Sequence, residues 1–217
     1  MQRQIIVVFL SLVFLALPSA WGAERGALFK VTSKANTMYL FGTVHLGMPE
    51  FFPLEPKISA AVANASTVAL EVDPLEDQSA MMGSMMANGV ISAPNAHAGL
   101  APEVRERLKR ALGKARVDPA AMEQFRPWFV GIILVAGEYT SQGYRPDLSV
   151  DKHVATLAKA SKVKLLALET PGYQLGLFNR MSQGEQSSFL DETLRQLESG
   201  KSKEDMRMII SAWSTAD

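Results

Sequence analysis

Short apolar segments that alternate with helix-like segments limit this chain to a small set of folds. There are four such apolar segments. The first two are separated by the turn Ser33-Lys34-Ala35-Asn36, and the last two are separated by segments with a helical pattern. Strand–helix–strand alternation is typical of an α/β fold, because a helix is the usual connection between parallel strands. We therefore predict an α/β fold with a partly parallel sheet flanked by helices, in which the last two strands are buried. The predicted strands are Ala27–Thr32, Thr37–Phe41, Thr67–Val72 and Val163–Leu168.

The middle and C-terminal regions are predicted to be mostly helical. A capping box of Ser182 with Glu185 begins one helix, which Gly200 ends. In contrast, Asp77–Ala101 has no clear period and is predicted to be a mobile loop or a poorly formed helix. A further helix is predicted to begin near Pro56, and three others to cover Pro102–Gly113, Pro127–Thr140 and Ser149–Ala160, the first of these ending at Gly113. The last predicted helix follows Ser202 and has an apolar stripe of Met206, Ile209, Ile210 and Trp213.

The N-terminus has the layout of a secretory signal peptide. Arg3 precedes an apolar run of 13 residues, Ile5–Leu17, which Pro18 ends. The small residues Ala20 and Gly22 suit cleavage after Gly22, with Ala23 as a close alternative. A membrane anchor would need about 20 apolar residues, which favours cleavage. We therefore predict a signal peptide at 1–22, one domain at 23–217 with no stable membrane span, and a periplasmic or secreted location.

The composition excludes several classes of protein. The 22 basic and 22 acidic residues balance, so the surface offers no long-range field for nucleic acid, and no nucleic-acid partner is predicted. There is no cysteine, which excludes a lipoprotein anchor, disulfides, a thiolate metal site and a cysteine nucleophile. The oligomeric state does not follow from the sequence.

Three polar residues stand where predicted strands end. His45 follows the second strand through Gly42, Glu71 ends the third, and Glu169 follows the fourth. Ligands of open α/β sheets bind at the carboxyl ends of the strands, so these side chains would converge if the strands share one sheet. Asp73 would point to the same side if the strand continued that far. An imidazole with two or three carboxylates suits a divalent metal ion, or a base and orienting group without a metal.

Structural interpretations of these and other residues stay open. His45 could be a satisfied loop histidine, and either glutamate could cap a following helix. His153 is predicted to be solvated near Asp151, while His97 has no predicted partner. The methionines between Met81 and Met86 could contact a soft metal or a partner, although packing or a flexible apolar lid is favoured.

Several motifs together resemble the TraB/GumN family. The resemblance runs from about Leu28 to the C-terminus, and the order and spacing of the motifs agree with that family. The family is similar to the TIKI proteins, described as metal-dependent proteases, and more distantly to the erythromycin esterases and the ChaN haem-binding proteins. The matching motifs are Leu40-Phe41-Gly42-Thr43-Val44-His45-Leu46-Gly47, Pro53-Leu54, Ala69-Leu70-Glu71-Val72-Asp73, Pro127-Trp128, Gly143-Tyr144 with Val150-Asp151, and Leu168-Glu169-Thr170 with Gln174-Leu175.

The resemblance implies a hydrolase of peptides or esters, with a divalent metal ion as cofactor. Gly42 and His45 would form the family's Gly-x-x-His motif, and Glu71 and Glu169 would be its acidic residues. His45, Glu71 and Glu169 would each be both a catalytic group and a metal ligand. Gly42 would let a ligand approach the backbone closely. Family members normally continue past Trp213 with a second such motif, which neither His97 nor His153 supplies. There are therefore two alternative expectations. The chain could be a non-catalytic module that binds haem or a peptide signal, or it could be an inactive, truncated member of the family.

Overall fold

A computed structural model describes residues 25–34, 36–91 and 96–215 of the chain. The predicted signal peptide, residues 1–22, lies outside them. The described part contains the strands β1 (Leu28–Ser33), β2 (Asn36–Phe41), β3 (Thr67–Leu70) and β4 (Lys164–Ala167). Its helices are α1 (Pro56–Ala63), α2 (Gln78–Gly89), α3 (Pro102–Ala115), α4 (Pro119–Met122), α5 (Pro127–Ser141), α6 (Val150–Ala160), α7 (Pro171–Phe178), α8 (Gln183–Ser199) and α9 (Lys201–Thr215). The predicted α/β class is confirmed.

The strands form two separate pairs, where the sequence suggested a single sheet. β1 and β2 make an antiparallel hairpin from Leu28↔Phe41 to Ser33↔Asn36. β3 and β4 pair in parallel from Thr67↔Lys164 to Leu70↔Ala167, with α6 packed against both. The expectation that three strands deliver their ends to one sheet is therefore wrong. Strand pairing across long sequence separations depends on tertiary packing, which the local pattern does not contain.

The strands are mostly exposed, and only a few of their side chains reach the core. Leu28 and Phe41 at the base of the hairpin, and Val68, Leu70 and Leu165 of the parallel pair, are partly buried against a group of residues that we call the strand-side cluster. On the opposite hairpin face, Phe29 and Leu40 form an exposed cross-strand pair, and Leu168 beyond β4 is 65% exposed. The prediction of fully buried strands was therefore wrong. The strand-side cluster consists of Phe51, Leu54, Ile58, Val62, Tyr144, Val150, Val154, Ala158, Met206 and Trp213.

A second apolar group, the helical cluster, lies between α3, α5 and α8. Val130 and Leu134 of α5 pack there against Leu190 and Leu194 of α8. Tyr139, one to two turns further along α5, packs against the strand-side cluster, so α5 joins the two. The remaining members of the helical cluster are Leu100, Val104, Leu108 and Leu112.

Three helix predictions need correction. Residues 78–89 form a regular helix, α2, whose N-cap Asp77 accepts a hydrogen bond from the Ser79 amide at 3.0 Å. α3 continues past Gly113 to Ala115, and its C-cap Arg116 adopts the left-handed conformation with φ 57°. In α9, Met206 and Trp213 are buried as predicted, but Ile209 is 56% exposed. The predicted capping box of α8 and its Gly200 stop are confirmed.

Candidate functional site

His45 lies in a loop, residues 42–47, that connects β2 to a 3-10 turn at Pro49–Phe51 and is held by backbone hydrogen bonds. The Val150 amide donates to the Val44 carbonyl at 2.9 Å, and Gly47 and Arg145 exchange two bonds of 3.0 and 2.8 Å. A β-carbon at Gly47 would stand 1.8 Å from the Leu148 carbonyl oxygen, so this close approach requires glycine. The loop thereby lies against the start of α6.

Asp151 of α6 connects His45 and Thr43. Its Oδ2 lies 2.9 Å from His45 Nδ1, and its Oδ1 accepts a hydrogen bond of 2.6 Å from the Thr43 hydroxyl. The position of Asp151 follows from the N-cap Ser149, whose side chain accepts from the Lys152 amide and sets the first turn of α6. The Asp151 side chain is only 17% exposed, whereas that of His45 is 76% exposed. The carboxylate therefore fixes Nδ1, and Nε2 is left toward solvent.

The two ionisable groups stabilise each other's charge. The hydrogen bond to Asp151 raises the pKa of His45, partial burial opposes this, and the charges of Asp151 and Glu71 raise it further, so that the net shift is upward. Burial raises the pKa of Asp151, but the hydrogen bonds from His45 and Thr43 outweigh it and the pKa falls below its usual value. A raised histidine pKa beside a lowered aspartate pKa is the signature of an ion pair.

Glu71 and Glu169 follow the parallel strands directly, as predicted. The ladder between β3 and β4 extends past both strands, because the Leu168 amide donates to the Leu70 carbonyl and the Glu169 amide to the Glu71 carbonyl. The exposed Glu71 carboxylate accepts a hydrogen bond of 3.2 Å from Gln174 of α7. The charge of Glu71 makes the smallest of the contributions that raise the pKa of His45.

The other predicted site residues are less closely associated with His45. Glu169 is partly buried and is not among the charges that shift the pKa of His45. β3 ends at Leu70, and Asp73 instead accepts the Leu75 amide at 2.8 Å in a turn. A β-carbon at Gly42 would make only ordinary contacts with Ala27, so a close ligand approach there stays a prediction. In residues 25–34, 36–91 and 96–215, no three His, Asp or Glu side chains are grouped so that they could hold a metal ion.

Asp151 and Thr43 are the site residues that sequence reasoning missed. Thr43 lies two positions before His45, and Asp151 lies 106 positions from His45 along the chain. The available signal was the Val150-Asp151 pair among the family-like motifs, directly after the N-cap Ser149. Gln174, in another of those motifs, was the corresponding signal for the partner of Glu71.

The remaining histidines have structural surroundings. The ring of His153 packs on Phe52 with centroids 4.4 Å apart, and burial lowers the pKa of His153, so the predicted solvated position was wrong. His97 is buried, with Nε2 3.0 Å from the Phe125 carbonyl oxygen, and burial lowers its pKa also. In α2, Met82 and Met86 are exposed, whereas Ser84 and Asn88 face Gly172 and Gly176 of α7.

The fold and the site define an α/β protein with a histidine–aspartate pair beside the carboxyl end of a parallel strand pair. Residues 27–217 match the model of the TraB/PrgY/gumN family, and the chain belongs to this family. No curated protein sequence and no solved structure matches the chain.

Proposed function

We propose that this family member is a hydrolase that uses His45 as its general base and Asp151 as the group that orients it. The observation that carries the proposal is the 2.9 Å contact between Asp151 Oδ2 and His45 Nδ1. A carboxylate on Nδ1 sets the tautomer in which Nε2 has a free lone pair, and it stabilises the imidazolium that forms during reaction. The substrate would be a peptide or an ester.

The proposed reaction needs only water and the residues of the site. Nε2 of His45 accepts a proton as a water oxygen bonds to the substrate carbonyl carbon. The imidazolium then returns the proton to the leaving nitrogen or oxygen as its bond to carbon breaks. Between these two steps, Asp151 stabilises the positive charge of the His45 imidazolium, and the negative charge of Glu71 adds to this stabilisation. In this scheme, Glu71 and Glu169 line the edge at which the substrate binds.

A metal-dependent form of the proposal would use His45, Glu71 and Glu169 as ligands. The donor types suit a divalent ion, and a carboxylate on Nδ1 commonly supports a metal-binding histidine. In the described part of the chain, however, these side chains do not make a three-ligand group. The reaction steps proposed above therefore use only water and the side chains of the site. The metal-dependent form is tested by comparing the metal content of the purified wild type with that of His45→Ala.

Hydrolysis assays with matched histidine variants test the proposal. p-Nitrophenyl acetate and a fluorogenic peptide library serve as the ester and peptide probes. We expect His45→Gln and Asp151→Asn to lower kcat/KM by at least about 100-fold, the usual contribution of a positioned general base. His153→Gln is the control, since that ring packs on Phe52 and its pKa is lowered by burial. Undiminished hydrolysis by His45→Gln would contradict the proposal.

A binding role for the same histidine has a separate readout. In a haem-binding module, which the resemblance to haem-binding proteins implies, the exposed imidazole of His45 would be the residue that holds the haem. Titration of the protein with haem, followed by absorbance, would give a Soret shift that His45→Gln removes. This result, combined with no hydrolysis of either probe, would favour the binding module over the hydrolase.

We also propose that the protein is exported and processed after Gly22. The apolar run Ile5–Leu17 supports export, and none of the helices among the described residues could cross a membrane. Expression of the full chain in a bacterial host and intact-mass measurement of the periplasmic fraction test this. We expect a chain that begins at Ala23. An uncleaved chain in the membrane fraction would contradict it.

A further inference from the structure

Trp213, near the end of α9, contacts the loop that carries His45. Its indole Nε1–H donates to the Gly42 carbonyl at 2.9 Å, and its backbone carbonyl accepts from the Gly26 amide at 2.6 Å. The ring is 7% exposed and packs on Phe51 with centroids 5.0 Å apart. A tryptophan that is this buried normally has a partner for its N–H, and here that partner is the first carbonyl of the His45 loop.

The bond from Trp213 holds the first residue of the loop, Gly42, from the buried side. Further along, the Val44 carbonyl and both backbone groups of Gly47 have partners in Val150 and Arg145. At Gly42, the amide bonds to the Ala27 carbonyl within the hairpin, and the carbonyl bonds to Trp213. Thr43 and His45 both follow within three residues. A shift of the Gly42 peptide would therefore move the two side chains that bond to Asp151.

The position of Trp213 is itself fixed by the packing of α9. At the start of that helix, Lys203 forms an ion pair of 2.9 Å with Glu138 of α5, and Ser202 bonds to the Tyr139 hydroxyl at 3.4 Å. Met206 is buried in the strand-side cluster, nearly two turns before Trp213. Since both ends of α9 are tied to other elements, the indole is a rigid support for the Gly42 carbonyl.

We propose that Trp213 is a positioning residue, which holds the Gly42 carbonyl and thereby keeps His45 in contact with Asp151. The inference rests on the proposed function insofar as it concerns catalysis. Trp213 lies on the buried side of the loop and does not touch the reacting atoms. Its loss should therefore affect turnover more than substrate binding.

Two tryptophan variants provide a matched test. Trp213→Phe removes the Nε1–H and keeps an aromatic ring against Phe51. Trp128→Phe is the control, because Trp128 is also buried and also donates its Nε1–H, to Asn179 Oδ1 at 3.2 Å, but it lies in α5 and contacts Phe178 rather than the His45 loop. Both substitutions are expected to lower the melting temperature. Only Trp213→Phe should change the loop.

The first readout is hydrogen–deuterium exchange of the full chain, which does not depend on any activity. We expect the peptide that contains residues 42–47 to exchange at least about tenfold faster in Trp213→Phe than in Trp128→Phe under conditions where both are folded. The second readout is hydrolysis of the probe substrates. We expect Trp213→Phe to lower kcat about tenfold or more with KM within twofold, since a small misplacement of a catalytic group mainly affects turnover.

The two readouts separate this inference from the proposed function. Equal exchange of residues 42–47 in the two variants overturns the positioning role, whether or not the wild type hydrolyses a probe. If exchange is faster only in Trp213→Phe and the wild type hydrolyses no probe, then Trp213 does hold the loop, but the proposal that the protein is a hydrolase is contradicted. If the wild type is active and both variants retain equal kcat, the positioning role is overturned and the hydrolase stands.

Discussion

The His45 ring contacts the carboxylate of Asp151 at 2.9 Å. The hydrogen bond to Asp151 raises the pKa of His45, whereas burial lowers the pKa of both His97 and His153. At neutral pH, the buried rings are therefore expected to be neutral, while His45 is protonated in a larger fraction of molecules. The contact with Asp151 and the exposed ring, which acts as a base in those molecules where it is neutral, make His45 the candidate base.

The stability of the protein should depend on the ion pair within a defined pH range. The raised pKa of His45 means that its contribution is complete below the ordinary value of 6.5 and is lost as pH rises through the folded-state pKa. The lowered pKa of Asp151 means that its contribution is present above 3.8 and is lost as pH falls through the folded-state pKa. His45→Gln should therefore destabilise the protein most between these two values.

Melting curves of the wild type and His45→Gln across pH measure this effect. Because the His45 side chain is largely exposed, solvent screening limits the expected loss to below about 1 kcal/mol. The gap between the two melting temperatures should narrow as pH rises above the raised pKa of His45. A gap that is constant with pH would show that the ion pair does not contribute.

At the scale of single elements, α8 has the most complete N-terminal cap. The Ser182 hydroxyl accepts from the Glu185 amide, and the Glu185 carboxylate accepts from the Ser182 amide at 2.7 Å. This reciprocal arrangement satisfies two amides that the helix leaves without partners. Since Leu190 and Leu194 of the same helix fill the helical cluster, the cap should influence the stability of the whole chain.

Ser182→Ala should therefore destabilise the protein by about 1 kcal/mol, as loss of an N-cap usually does. Ser187→Ala is the matched control, because that hydroxyl only donates to the Gln183 carbonyl within the helix. Alanine is a better helix former than serine, so the control should be neutral or slightly stabilising. Urea denaturation of both variants measures the difference, and equal midpoints would contradict the role of the cap.

The sequence predicted elements well where periodicity or capping residues were present. The hairpin, α5, α6 and α8 lie within one residue or two of their predicted bounds. α2 was missed because its methionine, glycine and serine residues have no apolar period, although Asp77 was a capping signal. In the candidate site, Glu71 directly follows β3, and His45 lies in the loop after β2. Asp151 was not predicted as a site residue, because its approach to His45 depends on the packing of α6 against a loop 106 residues away.

At the scale of the whole molecule, two apolar clusters share their supporting helices. α5 packs against both clusters, and α9 contacts α5 and α8 while its own buried residues belong to the strand-side cluster. Neither cluster is therefore isolated from the other. We expect the described part of the chain to unfold as one cooperative unit. The prediction of a single domain at 23–217 requires the same behaviour.

Two core substitutions test this cooperativity. Ile58→Ala in the strand-side cluster and Leu194→Ala in the helical cluster remove fully buried side chains, and each should cost about 2 to 5 kcal/mol. Both should shift the same single transition in calorimetry. Met208→Ala, at an exposed position of α9, should change the free energy of unfolding by less than about 0.5 kcal/mol. A second transition that only one core variant shifts would show two independent units.

In the proposed site, Asp151 holds His45 as the base. The most direct test is an NMR titration of the three histidine rings in the wild type and in Asp151→Asn, with His45 assigned by His45→Gln. We predict that His45 has the highest pKa of the three in the wild type, and that Asp151→Asn lowers it while His97 and His153 are unchanged. A pKa of His45 that is the same in both proteins would contradict the pairing and the catalytic role built on it.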